Sequence, residues 1–119
     1  MSEHFKIQNK HEIQWDSRYW FSCHLLDYVI IFIKNKLPSW AYWDNGYEDE
    51  FVFVTDEIES LLNNMKDGKV EFPFEKIPEI DIKESGYTKE NFNSELIKFL
   101  EKLVELGKKT DGYSYVDVI

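Results

Sequence analysis

A chain of 119 residues with 43% hydrophobic content can form one compact domain, burying roughly 65% of its unfolded surface, and is too short for two ordinary cores. Its 23 acids against 14 bases leave a formal net charge of −9, which repels nucleic-acid phosphate and anionic lipid, so direct binding to nucleic acid or a membrane surface is not expected. A lone cysteine, Cys23, and a longest apolar run of six residues, Tyr28 to Ile33, point to a cytoplasmic protein without internal disulfide, signal peptide or transmembrane span.

The first element read from the pattern is a helix from Asp16 to Lys36, capped by Asp16 or Ser17 and ended by Leu37-Pro38. Its polar residues Ser17, His24, Asp27 and Lys34 fall on one narrow stripe, so the rest of its circumference is apolar and the helix should be central. The cluster Val29-Ile30-Ile31 also suits a buried strand, and periodicity alone does not separate the two for so short a run. Trp40 to Glu50 reads WAYWDNGYEDE, an aromatic, acidic loop or hairpin tip turning at Asn45-Gly46. Phe51 to Val54 predicts a short strand, and Thr55 is placed to cap a helix from Asp56 to about Lys66, with Ile58, Leu61, Leu62 and Met65 at helical spacing. From Lys69 to Lys83, Pro73 and Pro78 limit the chain to edge strand or extended loop, since proline donates no ladder hydrogen bond. Lys89 to Leu106 is the clearest helix, capped by Thr88 and closed by Gly107, with Phe92, Leu96, Phe99, Leu100, Leu103 and Val104 on one face. Gly112 to Ile119 predicts a terminal strand. The expected fold is therefore α+β: a single domain over residues 1–119, with about three helices on a small antiparallel sheet.

Catalytic chemistry is not recognisable. Cys23 and His24 are neighbours about 100° apart on a helix, and Cys23 lies on the apolar side, where it behaves as a small hydrophobe. His4 and His11 have no metal-ligand spacing, and the five glycines are dispersed, so no metal site and no phosphate loop is indicated. An EF-hand loop starting at Asp44 would need an oxygen ligand where Gly46 stands. Asp49 and Glu50 near Trp40 and Trp43 have the composition of a glycosidase cleft, but carboxylate pairs are common in so acidic a chain. No catalytic residue, metal or cofactor is expected.

What rises above background is the location of the charge. Leu37 to Met65 contains no Lys or Arg but seven acids, Asp44, Glu48, Asp49, Glu50, Asp56, Glu57 and Glu59, so it carries −7 of the −9. Trp40, Tyr42, Trp43 and Tyr47 lie in the same segment. Large aromatics beside acids are the composition of a protein-binding patch, in which rings supply anchor area and charges steer a basic partner. The alternative is a solvated acidic loop whose indoles fold back into the core. The expected partner-binding residues are Trp40, Tyr42, Trp43, Asp44, Tyr47, Glu48, Asp49 and Glu50.

In type, this small, acidic, motif-free chain resembles the immunity proteins that bacteria make against toxins, including contact-dependent inhibition toxins. Over nine residues, Tyr42-Trp43-Asp44-Asn45-Gly46-Tyr47-Glu48-Asp49-Glu50 resembles the paired-aromatic, acidic recognition segment of colicin nuclease immunity proteins. That family is four-helical and smaller, whereas this chain has a proline-containing middle and a C-terminal strand. The resemblance implies stoichiometric inhibition of a toxin domain with a basic surface, a nuclease, by covering its active site or an adjacent surface. Two other classes stay open: a phage-type acidic inhibitor mimicking nucleic acid, which needs carboxylates spread over an extended surface, and a small enzyme with an unrecognised site, which needs a cleft with convergent polar groups.

Overall fold

The C-terminal strand lies in the middle of the sheet rather than at its rim. The computed structural model of the protein describes residues 2–8, 16–44, 46 and 49–118. In chain order they form β1 (Ser2–Gln8), β2 (Asp16–Ser22), α1 (Cys23–Lys36), β3 (Trp40–Asp44), β4 (Asp49–Val54) and α2 (Thr55–Lys66). A single 3-10 turn (Phe74–Lys76), α3 (Glu79–Ser85), α4 (Lys89–Lys108) and β5 (Tyr113–Val118) follow. The five strands run in the order β2-β1-β5-β4-β3, and every neighbouring pair is antiparallel. Two hairpins, β1–β2 and β3–β4, thus flank β5.

The α+β class agrees with expectation, with α3 as an additional helix. Four local expectations are corrected. The helix expected over 16–36 begins only at Cys23, because residues 16–22 pair with β1 from Ser2↔Ser22 to Gln8↔Asp16. The aromatic run Tyr19-Trp20-Phe21 suits a strand as well as a wide helical face, and the partner strand decided. Val29 to Ile31 stays helical. Residues 69–83, expected as edge strand or extended loop, instead carry the 3-10 turn and α3, with Pro73 and Pro78 at their N-cap positions. Proline fits a helix start because the first N–H groups have no intrahelical partner. Phe72 and Ile77 from this segment are buried, and the Phe72 ring lies 5.1 Å from Phe32 and 4.9 Å from Phe92.

Thr55 is the first residue of α2 and not its side-chain cap. Its buried hydroxyl lies 2.9 Å from Ser114 Oγ, and Ser114 Oγ in turn donates to the Leu103 carbonyl at 2.8 Å. The Ser114 proton is thereby committed, so the Thr55 hydroxyl donates to Ser114. Gly107, expected to close α4, lies within it because the helix passes directly over this pair. A Cβ there would fall 1.8 Å from Thr55 Oγ1 and 2.8 Å from Ser114 Oγ. By contrast, the Thr88 cap is as expected, with Asn91 completing a reciprocal capping box.

Register separates the two sheet faces. Phe51, Phe53, Ser114 and Val116 occupy one face, and Phe51, Phe53 and Val116 join Ile33, Ile58, Leu62, Leu96, Phe99 and Leu103 in one apolar core. Val52 and Tyr115 are directly paired on the other face and, though buried, lie outside that core cluster. The apolar faces of α1, α2 and α4 therefore pack on the first face of the sheet.

Phe99→Ala should cost about 3–5 kcal/mol, because the ring is fully buried and its removal leaves a cavity. Gly107→Ala should cost about 1–3 kcal/mol through overpacking, with further loss from the displaced Thr55–Ser114 bond. Urea unfolding of both variants measures these costs.

Candidate protein-binding edge

The hairpin of β3 and β4 contains most of the residues expected to bind a partner. Trp40, Tyr42 and Trp43 are 43%, 46% and 50% exposed, so the indoles do not fold back into the core. Their exposure follows from position: β3 ends the strand order, and among the described residues it has a neighbouring strand on one flank only. Tyr47 and Glu48, and the turn residue Asn45, lie outside the described residues. Gly46 is at φ 88°, a conformation glycine adopts without a Cβ clash, and its N–H donates to Asp44 Oδ1 at 2.8 Å.

Strand alternation divides these residues between two faces. Trp40, Tyr42 and Asp44 pair with Phe53, Phe51 and Asp49, on the face the helices cover. Trp43 pairs with Glu50 on the opposite face. On the first face the Tyr42 ring packs 5.1 Å from Phe51, and its hydroxyl donates to Asp49 Oδ1 at 2.9 Å. The Lys34 ammonium of α1 lies 4.6 Å from the Trp40 ring centroid and 5.6 Å from that of Phe51, a cation–π contact. Sequence reasoning placed Lys34 only on the polar stripe of a helix. Nothing in its local spacing pointed to Trp40, since the turn at Leu37-Pro38 brings them together.

The acids of the 37–65 segment also separate in space. Glu57 accepts the Ser39 N–H at 3.0 Å, tying the start of β3 to the first turn of α2. Glu59 pairs with Lys108 of α4. Asp44, Asp49 and Glu50 remain at the hairpin, and among the described residues none of them is ion-paired with a lysine or arginine. The sequence-level cluster of seven acids thus contains two that serve the fold and a smaller group beside the exposed aromatics.

Elsewhere, a cavity of about 440 Å³ lies between α1 and residues 71–77. Tyr28, Ile31, Phe32, Phe72, Pro73 and Ile77 form its apolar wall, with Asn35, Lys36, Glu71 and Lys76 as its polar groups. Cys23 opens α1, but its side chain and those of His4 and His24 lie outside the described residues, as does His11. Among the described residues no three His, Cys, Asp or Glu side chains group as a metal site requires, and no helix is long and apolar enough to cross a membrane. Comparison of the chain with protein-family models, curated proteins and solved structures returns no match.

The Tyr42 phenol is held above its usual pKa of 10.0, first by the hydrogen bond to Asp49, then by desolvation and by the charges of Asp49 and Asp44. The raised value means the neutral, donating phenol is favoured in the fold; that contribution is complete below pH 10 and is lost as pH rises through the folded-state pKa. Asp49→Asn should move the Tyr42 titration back toward 10, measurable by ultraviolet difference spectroscopy against a Tyr42→Phe control.

Proposed function

We propose that the protein is an inhibitor of immunity type, binding a basic toxin domain, a bacterial nuclease, through the β3–β4 hairpin and acting without catalysis of its own in the cytoplasm. The observation that carries this reading is the exposure of Trp40, Tyr42 and Trp43 beside Asp44, Asp49 and Glu50. Large exposed aromatics cost solubility, and grouped at one edge with acids they match the anchors and steering charges of a protein interface. The choice of a toxin as partner comes from the likeness of residues 42–50 to the recognition segment of colicin nuclease immunity proteins. A nuclease must present positive charge to hold phosphate, and the same charge gives an acidic hairpin its purchase.

The two residue classes should act on different steps. With a cognate basic toxin domain as partner, Trp43→Ala should weaken binding by roughly thirtyfold or more, mainly through faster dissociation. Its melting temperature should stay within about two degrees of the parent, because surface changes alter stability little. Glu50→Lys should slow association and flatten its salt dependence. Unchanged affinity in both variants would place the recognition surface elsewhere.

A further inference from the structure

We propose that the partner adds an extended strand, antiparallel, to the outer edge of β3, with basic residues at the end beside Asp44 and apolar residues at the end beside Trp40. The inference rests on the reading of this hairpin as the binding surface and specifies how that surface is used.

The reason lies in the alternation along β3. Trp40 and Tyr42 sit on one face of the sheet and Trp43 on the other, so a partner lying flat on either face would reach only part of the set. An element approaching in the plane of the sheet reaches both faces together, and an added strand does so while placing its own side chains alternately against them. β3 is suited to this. Among the described residues it is hydrogen-bonded to another strand on one side only, and its five residues, WAYWD, include neither proline nor lysine, the residues that commonly protect sheet edges from pairing.

Charge sets the direction of the added strand. Asp44, Asp49 and Glu50 stand at the turn end of the hairpin, while the Lys34 ammonium stands over Trp40 at the other end. A strand with positive side chains near Asp44 and none near Trp40 is attracted at one end and not repelled at the other. Every strand pair in the sheet is antiparallel, and an antiparallel addition puts the basic residues in the N-terminal half of the partner strand.

The probe is a capped hexapeptide with two lysines followed by alternating valine and threonine, added to the intact protein and followed by amide hydrogen exchange and NMR. Binding should be visible at about 1 mM. It should slow exchange in residues 41–43 of β3 by about tenfold or more, and leave β2, at the opposite edge, unchanged. N-methylating the peptide backbone should weaken binding at least about tenfold, as expected on losing two or more main-chain hydrogen bonds. Replacing the lysines with glutamates should abolish it.

Three results would overturn strand addition: no binding at that concentration, equal binding of the N-methylated peptide, or protection of β3 in the peptide-free protein together with dimeric sedimentation, which would assign the edge to a second copy. Failure here, combined with weakened toxin binding by Trp43→Ala, leaves the hairpin as a binding surface used face-on. Toxin binding that ignores both Trp43→Ala and Glu50→Lys removes the hairpin itself, whatever the peptide does.

Discussion

The Thr55–Ser114 hydrogen bond beneath Gly107 is the constraint on which the arrangement of the chain depends. It joins the first residue of α2, the last turns of α4 and the start of β5, and its two hydroxyls are almost fully buried. Buried hydroxyls without partners are costly, so the three elements have to meet in a single relative position. The Thr55 N–H also donates to the Gly112 carbonyl at 2.9 Å, and Gly112 takes the positive φ, 84°, that turns the chain from α4 into β5. With this junction made, Phe53 stands opposite Ser114 and Phe51 opposite Val116, and the whole β4–β5 register follows.

From that register the exposed edge follows in turn. β5 takes the central position with β4 beside it, so β3, the other arm of the hairpin, becomes a boundary of the sheet. An aromatic sequence that elsewhere would pack under a helix is then left with one flank open, and Phe51 and Lys34 cover only part of Tyr42 and Trp40. The unusual surface of the hairpin is a result of topology acting on composition. Exposed apolar edges carry an aggregation risk, and the acids at the turn reduce it by charge repulsion between copies while favouring a positive partner.

Catalysis and binding make different demands on such a fold. A reaction centre needs convergent groups with water excluded, whereas a binding edge needs rigid anchors and accessible main chain. At the hairpin, Glu57 holds the entry to β3, the Gly46 N–H bond to Asp44 shapes the turn, and the Tyr42–Asp49 bond crosses between the strands. Preorganised rings lose little freedom on binding, which favours affinity from a small contact area.

Elements whose pattern is local are legible in the amino-acid order. The α4 face from Phe92 to Val104, its Thr88 cap, the strand at Phe51 to Val54 and the α2 spacing of Ile58, Leu61, Leu62 and Met65 all reappear in the structure, because a 3.6-residue repeat or a short apolar run is enough to state them. The grouping of aromatics and acids in residues 40–50 was equally legible. Tertiary structure alone decided the rest. Residues 16–22 became a strand because β1 lies beside them, the prolines at 73 and 78 became helix starts because Phe72 and Ile77 had a core to enter, and Gly107 stayed helical because Thr55 and Ser114 occupy the space of its missing Cβ. The division of Trp40 and Tyr42 from Trp43 has the same origin. Residues counted together along the chain are parted by the alternation of a strand, and which strand stands at the edge is set by pairings more than fifty residues away.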